Sequence, residues 1–445
     1  MNLMNVITEL LERKKYHSVR DILIEMHPAD IASMFEELTE RQISLLFRLL
    51  PKEQAAETFV ELEPDTQESL IKAFSDNELK EVLDELYLDD TVDLVEEMPA
   101  NVVRRILGNT DEDTRKMINE ILKYPKDSAG SIMTIEYVNL KENMTVADAF
   151  QTIRRTGIDK ETIYSCYVTD QNRRLKGIVS AKDLLLAESD AHISDIMDED
   201  VISVFTTDDK EEVAQKIQTY DLLAVPVVDG ENRLVGIITV DDAIDVMEQE
   251  ATEDIEMMAA ITPTDKPYLK TGVLETWWKR IPWLLLLMIS ATFTSIIINH
   301  YDTALTAFGL AAFMPMLMDT GGNAGSQASV TIIRGLSLGE IEMNDILRII
   351  WKEFRVSLLC GITMAIATFG KIMLVDRPDM MIAVVVSLTL ICTIITAKLV
   401  GCTLPMLAKR IGFDPAVMAS PFITTIVDAL SLMLYFWIAT ALLAA

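Results

Sequence analysis

Cysteine and histidine are scarce, four of each in 445 residues. Cys166, Cys360, Cys392 and Cys402 form no Cys-x-x-Cys pair, and three of them fall in apolar stretches. That excludes a disulfide framework and fits reduced packing thiols beside a cytoplasmic soluble region. His17, His27, His192 and His300 are too scattered to build a zinc site. Basic residues are few as well, 39 Lys and Arg against 69 Asp and Glu. Nucleic acid is thereby excluded as a partner, because phosphate contacts need basic surface. The first 30 residues mix acids and bases and hold no apolar run of the signal-peptide kind.

Half of the residues are hydrophobic, yet the formal net charge is −30. Both facts hold together only if the two kinds of residue are segregated. Residues 271–445 carry 11 acidic and 11 basic side chains, so the whole acidic excess lies before position 271. An acidic soluble half, suited to cations, is joined to an electrically balanced apolar half.

A hydrocarbon core about 30 Å thick takes about 20 apolar residues of helix. Residues 281–299 have no charge, 305–333 only Asp319, 356–375 only Lys371, 380–408 only Lys398, and 415–445 only Asp428. Five spans are expected, with the termini on opposite sides. Lys279 and Arg280 precede the first; Arg334, Arg348, Lys352 and Arg355 crowd the 2–3 link; Lys409 and Arg410 lie in the 4–5 link. The links around Tyr301–Asp302 and 376–379 are poor in basic residues. The positive-inside rule then puts the N-terminal half in the cytoplasm and the C-terminus outside the cell (inner) membrane. Trp277, Trp278 and Trp283 mark the first interface.

Two places suggest broken helix at membrane depth. Span two has Pro315 and then Gly321, Gly322, Asn323, Gly325, Ser326 and Gln327. Span five has Asp414-Pro415, Ser420-Pro421 and Thr424-Thr425 before Asp428. Irregular or polar backbone survives there only when buried in protein or lining a watery path, and an Asp at mid-helix costs about 2.5–3.5 kcal/mol on insertion. A buried Asp satisfied by hydroxyls is the bland account; the coincidence of glycines, an Asn and a carboxylate favours an ion path. Only oxygen ligands are on offer, which suits a hard cation. A hydrated Mg²⁺ fits one carboxylate among neutral oxygens, with Na⁺, Ca²⁺ and H⁺ left open.

The soluble half contains a repeat. Arg174-Leu175-Lys176-Gly177-Ile178-Val179-Ser180 with Asp183 recurs as Arg233-Leu234-Val235-Gly236-Ile237-Ile238-Thr239 with Asp242, 59 residues later. Each copy reads as helix (146–155; 211–219), strand (164–169; 224–228), turn, strand and helix. The Ser/Thr-x-x-Asp at the strand–helix junction doubles as an N-cap. Residues 1–130 read as short helices, with capping boxes at Thr39/Gln42 and Ser75/Glu78 and helix starts at Pro28, Pro51, Pro64 and Pro99. One acid cluster, Asp84 to Glu97 with Asp89, Asp90 and Asp93, reads first as a solvated face. Another, Asp241 to Glu256 with Asp242, Asp245, Glu250, Glu253 and Asp254, lies on a predicted helix leading toward span one. Divalent cations would relieve the repulsion among such faces and favour a closed arrangement.

The ordered repeat resembles a tandem CBS pair, a module that often binds adenosine nucleotides such as ATP; the resemblance puts ribose contacts on Asp183 and Asp242. The order of parts, and the run from Pro315 to Gln327 with its Gly321-Gly322-Asn323-Ala324-Gly325-Ser326-Gln327 core, resemble the MgtE-type magnesium transporters over essentially the whole chain. That resemblance implies an acidic all-α N domain (1–131), α/β tandem CBS domains (132–190 and 191–250), a plug helix (251–275) and five membrane helices (276–445). It implies a homodimeric channel for Mg²⁺ uptake, not an enzyme, with its pore at the dimer interface and closed by cytosolic Mg²⁺. The pore carboxylate would be Asp428, with Asn323 and Thr424 near the path. Plug acids Glu250, Glu253 and Asp254 would face Asp414 across a regulatory ion. Sensor ligands would be Asp242 and Asp245 on the CBS side and Asp89, Asp90 or Asp93 on the N-domain side.

Two other readings are weighed. An intramembrane aspartyl hydrolase would use Asp319 and Asp428 as paired carboxylates, but no substrate cleft is apparent in the sequence. A nucleotide-sensing anchor without transport leaves the polar elements of spans two and five unexplained.

Overall fold

The computed structural model describes residues 3–264, 268–269, 271–301, 310–376, 380–418 and 420–443. The start of the second expected span and the links around Asp302 and Asp379 lie outside these. The chain divides into two compact units, Met1–Met247 and Glu248–Ala445.

The first unit opens with helices α1 (Leu3–Glu12), α2 (Tyr16–Ile24), α3 (Pro28–Phe35), α4 (Glu40–Phe47), α5 (Lys52–Val60), α6 (Pro64–Ala73), α7 (Asp76–Leu83), α8 (Leu88–Glu97), α9 (Ala100–Asn109) and α10 (Glu112–Ile121). Their starts follow local chemistry. Both capping boxes form, Gln42 Oε1 accepting from Thr39 N at 3.1 Å and Glu78 Oε2 from Ser75 N at 2.7 Å. Pro28 and Pro64 sit in first turns, where a missing N–H costs nothing. Helices two apart in sequence pack together, α3 on α5, α4 on α6, α5 on α7 and α7 on α9. Helices this short are marginal alone; a continuous core through Leu23, Phe35, Leu46, Phe59, Leu70 and Ile106 holds them.

The repeat becomes two three-stranded sheets. Strands β1 (Tyr137–Leu140), β2 (Thr162–Thr169) and β3 (Leu175–Ser180) form one, with helix α11 (Val146–Thr156) between β1 and β2 and helices α12 (Ala181–Leu186) and α13 (Ile193–Ile196) after β3. Strands β4 (Val204–Phe205), β5 (Ala224–Val228) and β6 (Leu234–Thr239) form the other, with helix α14 (Lys210–Thr219) between β4 and β5. In each, the first pair is parallel and the second antiparallel. The turns that close the antiparallel pairs carry Arg173 and Asn232 at φ of 64° and 62°. The repeats therefore share backbone geometry as well as residues.

Helix α15 (Val240–Met258) continues straight out of β6. Among its described residues, the connecting segment expected at 251–275 is helical up to Met258 and again from Val273. The second unit then holds α16 (Val273–His300), α17 (Met314–Ser337), α18 (Ile346–Lys371), α19 (Met380–Arg410) and α20 (Ser420–Leu443). Among the described residues, four segments are long and apolar enough to cross a membrane: Val273–His300, Met343–Val375, Met380–Arg410 and Pro415–Leu443. Helix α17, whose glycines and amides dilute its hydropathy, is not among them, yet it packs against both α19 and α20. None of the residues of α16 is buried, and Leu284, Met288, Ile289, Phe293 and Ile296 are open on its surface. Such a helix suits lipid rather than water.

The expected break in span two is corrected by the structure. Helix α17 runs unbroken from Met314 to Ser337, with Pro315 in its first turn, where it interrupts no hydrogen bond. Its glycines serve close packing instead. A Cβ on Gly321 would stand 2.7 Å from Thr393 Cγ2 and 3.0 Å from Ser431 Oγ, and one on Gly325 would be 2.8 Å from Ile423 Cγ2. A Cβ on Gly401 would collide with the carbonyl oxygen of Gly325. Small residues let helix backbones approach where no hydrophobic effect drives them together. Span five does show an interruption: a short 3₁₀ turn, Pro415–Met418, precedes α20.

Candidate functional site

Polar side chains gather at three places, one within the membrane helices, one at the end of α15 and one in the acidic unit.

In the first, Asp428 is half-buried on α20, two turns into an otherwise apolar helix. Among the described residues, the charged group that bears on it electrostatically is Asp319 of α17, which is exposed. Thr424, one turn before Asp428, lies over Gly322, with its Cγ2 3.0 Å from where a Cβ there would be. The hydroxyls of Thr424 and Thr425 donate back to the Pro421 carbonyl, at 3.0 and 2.9 Å, leaving oxygen lone pairs rather than hydrogens to face a ligand. Ser431 Oγ is buried without a hydrogen-bond partner on the face of α20 that meets Gly321. Asn323 is exposed and opens onto a cavity shared with Ser326 and Gln327. A carboxylate with neutral oxygens around it can hold a hard cation through its water shell. Asp319 and Asp428, 109 positions apart in the sequence and weighed there as a carboxylate pair, are brought near each other by the glycine-mediated approach of α17 to α20.

At the second place, Met257 and Met258 at the end of α15 pack on Ile333 of α17 and Ala416 of the 3₁₀ turn. That contact brings Asp254 to Ser337, whose hydroxyl donates to Asp254 Oδ2 at 2.7 Å. Burial raises the Asp254 carboxyl above its ordinary range, and Asp414 raises it further, while Ser337 and Arg334 oppose the shift. Asp414 Oδ1 accepts from Ala416 N at 2.7 Å, which fixes the turn ahead of α20. Asp254 and Asp414 are thus near enough to repel each other. Glu250 and Glu253 are half-buried on the same helix.

The third place is the most crowded. Asp89, Asp90 and Asp93 of α8 stand near Asp242 and Asp241 at the start of α15 and near Glu136 and Glu161 beside the first sheet. The carboxyl of Asp89 is driven well above its usual range by burial, with Asp90, Asp242 and Glu161 adding to it. Asp90 is pushed up to about 6 by burial and then by Asp242. Asp93, although part of its side chain reaches solvent, is pushed up to about 7 by loss of water around it and by Asp242 and Asp90. Glu161 is pushed up to about 8 by burial and then by Asp242, Asp241, Asp90 and Glu136. Its Oε2 atom is buried with no hydrogen-bond partner. Burial raises Asp242 too, while Thr239 Oγ1 donates to its Oδ2 at 2.6 Å and opposes the shift. Asp245 adds to the repulsion at Asp242. The sequence singled out the acids of α8 and α15 but not Glu136 and Glu161, which belong to no charge run.

Both repeat aspartates reach back to the strand–helix junction three residues before them. Asp183 Oδ2 accepts from Ser180 N at 3.3 Å and Asp242 Oδ2 from Thr239 N at the same distance. Asp183 is exposed; Asp242 is half-buried among carboxylates. Among the described residues, no three His, Cys, Asp or Glu side chains converge closely enough to grip a bare metal ion.

Known proteins match this arrangement along its length. Residues 314–438 match the family model described as a divalent cation transporter, 26–127 the MgtE intracellular N domain, and 129–190 and 193–249 the CBS domain. The magnesium transporter MgtE of Thermus thermophilus is 38% identical over 444 residues, spanning 99% of this chain and 98% of that one. The magnesium transporter MgtE of Bacillus subtilis is 34% identical, over 97% of this chain and 95% of its own. A crystal structure of the cytosolic domain of the Mg²⁺ channel MgtE in complex with ATP is 39% identical with a TM-score of 0.53, covering 55% of this chain and all of that one. The soluble part of a magnesium transporter is 34% identical with a TM-score of 0.52, covering 56% of this chain and 98% of that one. Identity at this level over nearly the full length shows descent, and the chain belongs to the MgtE family of magnesium transporters.

Proposed function

We propose that this chain carries Mg²⁺ across the membrane past Asp428, and that cytosolic Mg²⁺ closes the path by bridging its acidic faces. The observation that carries the first part is a carboxylate held half-buried in an apolar helix, beside Thr424 and the glycine seam of α17. A lone carboxylate at that depth is costly and marks an ion route more often than a packing site. Hydration matters: Mg²⁺ sheds water reluctantly and usually meets one or two carboxylates directly. In the homodimer, with five spans per chain, two copies of Asp428 would face each other across the route. The Lys/Arg-rich 2–3 and 4–5 links would lie in the cytoplasm, with the C-terminus outside.

The closing step rests on crowded carboxyls. Asp89, Asp90, Asp93, Asp242 and Glu161 are raised by burial and by their carboxylate neighbours, and Asp245 adds to the repulsion at Asp242, so a divalent cation bound there relieves both penalties at once. Asp254 and Asp414, with Glu250 and Glu253, would form the second bridge, at the base of α17 and α20. An ion bound equally in open and closed forms would shift nothing; here the carboxylates approach each other only in the closed form, which supplies the difference.

The CBS pair would bind an adenosine nucleotide through Asp183. Asp242 is a poor nucleotide contact, because the acids around it repel a triphosphate and favour a cation. Titrating the full chain with ATP, in the wild type and in Asp183→Ala, tests that assignment. The hydrolase reading yields to the family relationship, since the relatives are magnesium transporters, and Asp319, although it bears on Asp428, is open to the surface. The deciding experiment is Mg²⁺ flux in proteoliposomes: Asp428→Ala should abolish it, and normal flux would remove Asp428 from the route.

A further inference from the structure

The one buried base among the described residues of the membrane helices is Lys398, whose side chain is 7% exposed, and its counter-ion is Glu353, 13% exposed. They stand on α19 and α18 and face a cavity of about 720 Å³ whose wall includes Asn323, Ser326, Gln327 and Thr331 of α17. Neither the pathway through Asp428 nor the acidic faces use this pair.

Its geometry is unusual for a structural ion pair. Lys398 Nζ is 3.6 Å from Glu353 Oε2, close enough for attraction but too far for a good hydrogen bond. Glu353 Oε2 is buried with no hydrogen-bond partner. A buried ion pair is stable only when its remaining lone pairs are satisfied. The unmet group is a pure acceptor, so what satisfies it must donate hydrogen or carry positive charge. The cavity beside it is polar and large: six waters at about 30 Å³ each occupy a fraction of it. The wall groups of Asn323 and Gln327 add amide oxygens and no charge.

We infer that Glu353, with Asn323 and Gln327, forms a second station for a hydrated divalent cation, and that Lys398 keeps that station weak. The Glu353 carboxylate, which is part of the cavity wall, accepts a hydrogen bond from the water shell of the ion. Lys398, alongside it, cancels the charge of the carboxylate, so the ion is held by dipoles and water and leaves again. A conducting site must be favourable enough to enter and weak enough to release; a carboxylate without Lys398 would trap the ion. This inference rests on the reading of the membrane unit as a cation route, but it makes its own prediction.

The test is the half-saturating Mg²⁺ concentration for flux in proteoliposomes of the full chain, for wild type, E353Q, K398M, the E353Q/K398M double and D428A, each checked as monodisperse protein. E353Q should raise the half-saturating concentration about tenfold, the effect of losing one charge-assisted hydrogen bond. K398M should lower it by a similar factor and reduce the maximal rate, because release becomes slow. A pair with only a structural role would move both variants the same way. Where a single variant fails to fold, the neutral double carries the test and should also raise the half-saturating concentration. Wild-type half-saturation in E353Q or in the double, or shifts of one sign in both singles, overturns the station whatever D428A does. Opposite shifts together with a silent D428A support both the station and the route. Opposite shifts with a normally conducting D428A support the station and contradict the route through Asp428.

Discussion

The two units handle charge in opposite ways. In the acidic unit, carboxylates are plentiful and are pressed together, so that Asp90, Asp93 and Glu161 hold their protons up to about 6, 7 and 8. From residue 271 on acids and bases balance, and in the membrane unit three carboxylates stand apart from one another: Asp428 beside the glycine seam, Glu353 against Lys398, Asp254 under Ser337. Crowding makes a surface whose energy depends steeply on whether a cation is bound. Isolation makes sites that an ion can visit singly. One protein needs both kinds if it is to conduct an ion and also respond to its concentration.

The sharpest way to break the contrast is inside the membrane. Asp428→Asn should lose Mg²⁺ flux altogether, whereas Asp319→Asn, at an exposed position, should slow it only in part. Equal loss in both would mean that the two carboxylates act as one site. Thinning the crowd is the next largest change. The triple variant Asp89→Asn, Asp90→Asn, Asp93→Asn should close only at about tenfold higher cytosolic Mg²⁺, the equivalent of one lost charge contact, while its maximal flux stays as in the wild type. Flux recorded against cytosolic Mg²⁺ checks this, and an unchanged closing concentration would make these acids mere solvation.

Packing comes third. Gly401→Ala drives a methyl into the Gly325 carbonyl, and overpacking of this kind costs about 1–3 kcal/mol. The melting midpoint in detergent should fall by several degrees, about 2–4 °C per kcal/mol for a unit of this size. Gly230→Ala, with open space around it, is the matched control.

The smallest effect is on pH. A carboxyl whose pKa is higher folded than unfolded binds its proton more tightly in the native state, so stability is greatest at low pH and declines as pH rises. The decline should run from the ordinary carboxylate range near 4 up to about 8, the value at Glu161. In the full chain without divalent cations, hydrogen-exchange protection of α8, corrected for the intrinsic rate, should drop about fivefold or more between pH 5 and 8. Millimolar Mg²⁺ should flatten the slope, since it replaces the lost protons.

Much of this was legible in the residues. The repeat of Arg-Leu-x-Gly with its capping Asp gave two matching sheets, because turn and cap chemistry act within a few residues. The capping boxes at Thr39 and Ser75 formed for the same reason. The acidic excess before residue 271 marked the unit that holds the crowded carboxyls. What escaped was long-range. The Gly321-Gly322-Asn323 run reads as a break in sequence, since glycine weakens helix propensity, but the neighbouring helices α19 and α20 need its missing side chains and keep α17 whole. Glu161 and Glu353 belong to no motif; each matters through a partner far away in the chain. Lys398 looked like a stray charge in a span until Glu353 stood beside it.

The central claim is that the crowded acids, through the end of α15, control the sparse path. It is tested most directly by flux in proteoliposomes as cytosolic Mg²⁺ is raised from trace to millimolar levels, in the wild type and in Glu250→Gln, Glu253→Gln, Asp254→Asn. The wild type should shut while the variant keeps conducting at its full rate. A variant that shuts at the same Mg²⁺ as the wild type would contradict the account.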